Sequence, residues 1–395
     1  IISMGIEKVS INTAYLDNPG ILNGIRVLDL TRMLSGPYCT MMLADHGAEV
    51  IKIENKRLGD VTRKWKLPSE EKDSRISAYF SAVNYKKEYI NLDISDNSDH
   101  AKLIEMTNSS DIVIMNFKKG DERKLNITEK ILRKNNSRLI IGKISGFGND
   151  SDRVAYDLIL QAETGFMSMN GTSESGPVKM PVALIDVLAA HHLKEGILLA
   201  LYEREKTKVG KAVSVSLYDA ALSSLVNQAS NYLMGGKVPQ RIGSLHPNIA
   251  PYGEIFTTKD KALITFAIGS DRHFSKFCTT LKLNSLPTDE RFISNQNRVR
   301  NRTVLAELIQ EKVSEHSCVE LLNALQELNV PAGKIKSLDE PVANYVDHFK
   351  TNGLEKITIK NLLTMSSGTN YNEGDKGYFS LNAYGYYGDD LEHMV

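Results

Sequence analysis

Apolar positions along the chain fall into short branched runs that alternate with stretches of helical spacing. IRVLDL at 25–30 reads as a buried strand, YCTMMLADHG at 38–47 as a helix ended by Gly47, and AEVIKIE at 48–54 as the next strand. Strand, helix and strand in so short a compass make a βαβ unit, hence a parallel sheet and a Rossmann-like α/β domain. YINLDI at 89–94, DIVIMN at 111–116 and RLIIGKISGFG at 138–148 extend the strand series. MPVALI at 180–185 reads as a further buried strand running into a helix, VLAAHHLKEGILLAL. VSVSL at 213–217 is a hairpin-like strand before a helix that runs to Leu233. GGKVPQRIGSLHPNIAPYGEIF, with its glycines, prolines and no periodicity, is the linker candidate. FTTKDKALITFAIGS then reads as a β-hairpin, residues 272–328 as a mostly helical, charged smaller domain, and VPAGKIKSL at 330–338 as a return to the first domain. The expected division is 1–225 for the large domain, 226–330 for linker and small domain, and 331–395 for return and tail, with a loose arm over 1–20.

Composition narrows the function classes. Lys+Arg equals Asp+Glu at 48 each, so no global field draws nucleic acid or an anionic membrane. Cys39, Cys278 and Cys318 are far apart and show no metal spacing, which fits a reducing compartment. The N-terminus lacks a cationic segment before a long apolar run, and no stretch reaches the roughly 18 apolar residues of a membrane span. A soluble, cytoplasmic protein is expected. The turn after the first strand lacks GxGxxG, which removes the dinucleotide fingerprint.

Candidate chemistry concentrates between Arg153 and Leu199, where Asp157 and Asp186 flank a Gly- and Ser-rich loop, GTSESGP at 171–177. Asp186 falls at the N-cap of the helix after MPVALI, and capping alone explains an Asp there. A carboxylate at a strand's C-terminal edge, where open α/β sheets place ligands, is the other reading. Three basic turns follow strand ends: Lys56, Arg57, Arg63 and Lys64 around Gly59-Asp60, then Asn84-Tyr85-Lys86-Lys87, then Asn116-Phe117-Lys118-Lys119-Gly120. Such turns lining one rim suit polyphosphate oxygens, whereas a solvated loop is the plainer alternative.

Several words in order resemble the class III CoA-transferase family, the CaiB/BaiF group that includes formyl-CoA transferase and α-methylacyl-CoA racemase. They are GIRVLDLTRMLSGPYCTMMLADHGAEVIKIE, GD-x-x-R at 59–63, N-x-x-K-x-x-x-x-LD at 84–93, NF-x-x-G at 116–120, ISGFG, YDLILQAETGFMSMNG, PVALIDVLAA, NYL and RIG-x-x-HPNIAPY. The resemblance spans 22 to about 345. It implies a Rossmann-like large domain built from both chain ends, an inserted smaller α+β domain, and an interlocked homodimer. It makes Asp186 the nucleophile of acyl transfer, with Asp157, preceded by Tyr156, as a second acidic position. Coenzyme A enters as part of the substrate, with no tightly bound cofactor and no metal, and a carboxylic acid is the acceptor. Family contacts to CoA map to Arg32, Met33, Asn55, Leu92, Asp93, Ile94, Ser95, Asn116, Phe117 and Lys124. Because Asn55 stands where some members hold an arginine, Lys56 or Arg57 is expected to serve the nucleotide. Arg241 and His246 in the linker suit a dicarboxylic substrate such as succinate.

Two alternatives remain at this level. Racemases of the family use a His in a G-H-D word, where this chain has Ala155-Tyr156-Asp157; a tyrosine of ordinary pKa near 10 is a poor base at neutral pH. His191 and His192 lie on an apolar helix and read as core or surface residues. An idle CoA-binding homologue is the other, since the family's P-P-x-x-G-x-H/Q-T word near the C-terminus is missing.

Overall fold

The structure is a computed structural model that describes residues 20–339. The expected N-terminal arm, Gly20 apart, and the tail lie outside the described residues. The described chain divides into two units, one of residues 20–168 with Lys179–Pro239 and one of Met169–Val178 with 240–339.

The first unit holds strands β1 (Arg26–Leu30), β2 (Glu49–Glu54), β3 (Glu88–Asn91), β4 (Ile112–Met115), β5 (Ile140–Ser145) and β6 (Ala212–Ser216). They form one parallel sheet in the order β3-β2-β1-β4-β5-β6. Leu28 stands opposite Ile51 on one side and Val113 on the other. The helices of this unit are α1 (Ser35–Asp45), α2 (Ala78–Asn84), α3 (Asn97–Asn108), α4 (Asp121–Lys124), α5 (Glu129–Leu132), α6 (Asp157–Glu163), α7 (Phe166–Met169, whose last residue falls in the second unit), α8 (Leu184–Thr207), α9 (Leu217–Ser223) and α10 (Val226–Gly235). Parallel strands covered on both faces read as unbroken branched runs, which is why IVIM and IRVLDL announced themselves. Alternate side chains serve opposite cores. Val27, Ile112, Ile114 and Ile140 pack with Leu43 of α1 and Leu193 and Ile197 of α8. Leu28, Val113 and Ile141 pack with Leu103 of α3 and Leu132 of α5. Gly142 lets α8 sit close to β5: a Cβ there would lie 3.2 Å from both Ile114 and Ile197.

Three expectations change in this unit. MPVALI is not a strand; its first residues are irregular and α8 begins at Leu184. VSVSL is not part of a hairpin, because β6 pairs parallel with β5. The helix expected to reach Leu233 breaks into α9 and α10, where Ser223 and Ser224 both donate their hydroxyls to the Ala220 carbonyl. Such side-chain bonds compete with the helical ladder.

The second unit carries an antiparallel sheet of β7 (Tyr252–Thr257), β8 (Leu263–Ala267) and β9 (Ala332–Lys334), with helices α11 (Asp271–Thr280), α12 (Asn295–Arg300), α13 (Arg302–Val313) and α14 (Cys318–Glu327). Its core is Phe256, Phe266, Phe274, Phe277 and Phe292 with Leu305, Ile309 and Leu325. The hairpin over 256–270 forms as expected. VPAGKIKSL does not return to the first unit: Ala332–Lys334 completes this sheet, and the boundary after 225 moves to 239 because α10 belongs to the first unit. The segment 169–178 also belongs here, its neck closed by Asn170 and Val178 and by the Gly243 amide donating to the Gly171 carbonyl (2.8 Å). No helix among the described residues is long and apolar enough to cross a membrane.

Candidate active site

Strand order reverses between β1 and β4, so the crevice beyond their C-terminal ends is the place where an open α/β sheet holds a ligand. Two loops meet there. The Asn116 side chain accepts from the Arg32 amide (3.1 Å) and donates to the Arg32 carbonyl (2.9 Å). Met33 follows with φ +76°, a left-handed turn that few non-glycine residues adopt and that marks a constrained loop. The turn delivers Ser35, the first residue of α1.

Asp186 lies in the first turn of α8, not at its cap. The N-cap is Ala183, which offers no side-chain bond. Capping comes from Asp157 instead, 28 residues upstream: its Oδ1 accepts from the Ile185 amide at 2.8 Å. Its Oδ2 accepts from Gln161 Nε2 (2.6 Å), and Gln161 Oε1 accepts from the Met180 amide (2.7 Å), so α6 pins the irregular entry to α8. Asp157 does not cap its own helix either; it is the first residue of α6, after the exposed Tyr156. The Asp186 carboxylate is therefore free of cap duty. It is half-buried, and burial first, then the Asp157 charge, push its pKa up to about 7, while a hydrogen bond from Ser35 pulls the other way. Of the first-turn amides, those of Leu184, Ile185 and Val187 are engaged by Val182, Asp157 and Ala183. Amides that could otherwise stabilise an oxyanion at this helix start are thus mostly spoken for, and the Asp186 amide is the one not used in these bonds.

Sequence reasoning missed Ser35 and Tyr79. Tyr79 of α2 stands edge-on to Trp65 at 5.1 Å, and burial together with Asp186, Asp157 and Asp60 pushes its phenol up to about 12. The words SAYF and TRKW carry these aromatics, yet nothing local tied them to the carboxylates. His191 meets Tyr38 at 5.8 Å and lies near Lys194, a packing role on α8.

Of the residues expected to hold CoA, the β2 and β3 loops are joined through Asp99. Lys56 pairs with Asp99 (2.5 Å), which also accepts from the Asp93 amide (2.8 Å). Asn55 shapes its own turn by accepting from the Arg57 and Leu58 amides, and leaves the Arg57 side chain exposed. Leu92 is buried, Asp93 accepts from Ser95, and Ile94 and Phe117 pack against the apolar core beside α3. Lys124 is exposed on α4 beside Asp121.

The second basic turn does not line the rim. Lys87 is buried against Asp29 (3.0 Å) and Lys86 lies 3.7 Å from Asp45, so acids far away in the chain draw both inward. Arg63 is likewise committed, to Glu54 and over the Phe80 ring at 3.7 Å. Arg241 is half-buried in the second unit. His246, also there, accepts from the Asn248 amide and stacks near Tyr252; burial and Arg302 lower its pKa, so it is not the cation expected at neutral pH.

Fold and site are those of a Rossmann-like α/β enzyme with a high-pKa carboxylate beside its switch point. The model of CoA-transferase family III matches residues 22–362. The chain is 36% identical to the succinate–glutarate CoA-transferase of Agrobacterium fabrum over 329 residues, 82% of each chain. It is 33% identical to the acetyl-CoA:oxalate CoA-transferase of Acetobacter aceti, covering 88% of this chain and 87% of that one. A CaiB/BaiF family protein from Brucella suis, solved by crystallography, superposes with a TM-score of 0.71 at 34% identity, over 85% of this chain and 88% of that one. The chain belongs to CoA-transferase family III. It is an acyl-CoA:carboxylate CoA-transferase, with coenzyme A carried on its substrate.

Proposed function

We propose that transfer runs through Asp186 as a covalent nucleophile. The observation that carries this reading is a carboxylate released from capping by Asp157 and made basic by burial at the sheet's switch point. An Asp186 carboxylate oxygen attacks the thioester carbonyl carbon, the C–S bond breaks, and CoA thiolate leaves behind a mixed anhydride. The thiolate then attacks Asp186 Cγ, expelling the donor acid as its carboxylate and leaving an aspartyl-CoA thioester. The acceptor carboxylate attacks that thioester, and the returning thiolate completes the new acyl-CoA. Atoms and charge balance without water, and thioester free energy passes to the product. Arg32, Met33, Asn55, Arg57, Leu92–Ser95, Asn116, Phe117 and Lys124 flank the CoA path, with Lys56 holding the β3 loop through Asp99.

The acid partners are dicarboxylates in this reading, supported by relatives named for succinate, glutarate and oxalate and by the cationic Arg241. The working form is a cytoplasmic, interlocked homodimer whose second unit is an inserted domain. Incubation with succinyl-CoA followed by peptide mass spectrometry tests the mechanism: an acyl- or CoA-sized adduct is expected on the peptide holding Asp186. An unmodified peptide under turnover with trapping would sink the covalent route. Competition of succinyl-CoA with butyryl-CoA tests the substrate class; equal kcat/KM for the two removes the dicarboxylate preference.

A further inference from the structure

The chain leaves the first unit after Ser168 and returns to it at Lys179, a short way before Asp186. The returning segment is irregular as far as Ala183, and Pro181 and Val182 on it are exposed, so packing alone does not fix its path. Hydrogen bonds from α6 hold it instead. Gln161, fully buried on α6, takes the Met180 amide at its Oε1 (2.7 Å), so its amino group has to point the other way. One Nε2 proton goes to Asp157 Oδ2 (2.6 Å), and the other reaches toward the Val182 carbonyl at 3.5 Å. Asp157 Oδ1 in turn takes the Ile185 amide (2.8 Å), one residue before Asp186. α6 is a firm base for this grip: Leu160 and Ile185 are both fully buried in one core, and the Thr164 hydroxyl donates to the Leu160 carbonyl (2.6 Å).

The two side chains therefore hold the start and the end of the returning segment, and they hold each other. The arrangement works in one polarity only. The Met180 amide, the Gln161 amino group and the Ile185 amide all donate, and the Gln161 carbonyl and both Asp157 oxygens all accept. A carboxylate at 161, or an amide at 157, would set like groups face to face. We propose that Gln161 is a positioning residue for the transfer reaction, gripping Met180 and orienting Asp157 on Ile185 so that the chain enters α8 along the path that presents Asp186. The inference rests on the reading of Asp186 as nucleophile. Misplacing a reacting group by about 1 Å can cost on the order of a hundredfold in rate, so the path into α8 bears directly on turnover.

The test is a polarity swap: Gln161→Glu, Asp157→Asn and the double variant, read by kcat per folded enzyme, KM for succinyl-CoA and thermal melting. Each single variant is expected to lower kcat roughly tenfold and to hold KM within about twofold. In the double variant the new amide at 157 can donate to the new carboxylate at 161, whose other oxygen still takes the Met180 amide. Its kcat should then rise above both single variants, to within about threefold of wild type, because the two losses share one cause. Losses that add, leaving the double variant at roughly a hundredth of wild type, overturn the proposal. So does an unchanged kcat in both single variants with only the melting temperature lowered, which is the mark of a structural brace. Should Gln161→Glu fail to fold alone, the double variant against Asp157→Asn still decides it. A wild-type enzyme whose Asp186 peptide stays unmodified under turnover fails the nucleophile reading itself, whereas a modified peptide with additive losses fails only the positioning role.

Discussion

Asp186 should govern the acid side of the pH profile. Its carboxyl titrates at about 7, against an ordinary 3.8, because burial and the Asp157 charge disfavour the anion. Only the anion attacks, so kcat/KM, which reports the free enzyme, should fall to about a tenth of its limiting value at pH 6 and about a hundredth at pH 5. Asp157→Asn removes the like charge and should move the midpoint downward, even though its new amide faces Gln161 Nε2. The same shift has a thermodynamic face. Between pH 3.8 and 7 the folded chain holds a proton at Asp186 that the unfolded chain has released. Stability from this group is therefore complete below about pH 4 and declines as pH rises through about 7. The full rise corresponds to about 4 kcal/mol, and solvent reaching the half-buried group reduces that to roughly 2 kcal/mol. Asp186→Asn should thus gain roughly 2 kcal/mol over wild type at pH 8 and nothing at pH 4, measured by denaturant titration at both pH values. A kcat/KM profile flat from pH 5 to 8, or an equal gain at pH 4 and pH 8, would refute the reasoning.

Asp186→Ala should lose more than a hundredfold in transfer while still binding CoA, measured by turnover and by calorimetry. Arg57→Glu should raise the KM for acyl-CoA by roughly tenfold and weaken its salt dependence, with kcat little changed, since its guanidinium is exposed beside the Asn55 turn. Burial lowers Lys87 to about 8 while the unfolded lysine holds its proton up to about 10.5, so this group adds stability as pH rises from about 8 to 10.5, and Lys87→Met should lose that gain, read by denaturant titration at pH 7.5 and 10. Ile197→Ala should cost about 2–5 kcal/mol by opening the packed seam between α8 and β5, seen as a lower denaturation midpoint.

The parallel sheet was legible because its inner strands β1, β2, β4 and β5 are covered on both faces and so write themselves as branched apolar runs. The same signal misled at MPVALI, where an apolar run with Pro181 enters a helix without pairing with any strand. VPAGKIKSL was placed in the wrong unit because periodicity shows a strand but not its partner; only the pairing of Gly333 with Thr265 does. Within the site, Asp186 and Asp157 were visible as carboxylates, but their division of labour was not. The Asp157-to-Ile185 bond spans 28 residues, and no local pattern encodes it. Lys87 read as a rim cation for a similar reason, its partner Asp29 lying 58 residues away. Ser35 passed unnoticed because a serine at a helix start ordinarily caps that helix.

The pairing of Asp157 with Asp186 also bears on how the enzyme waits between substrates. In the resting state the two carboxylates repel, and the strain is relieved whenever one of them loses its charge. Protonation relieves it at low pH; on the proposed covalent route acylation relieves it at any pH, since an anhydride or thioester at Asp186 is neutral. The modified enzyme is thereby electrostatically relaxed, and hydrolysis back to the bare pair must rebuild the repulsion. On that route the loaded enzyme carries less electrostatic strain than the bare one while it holds its cargo for an acceptor.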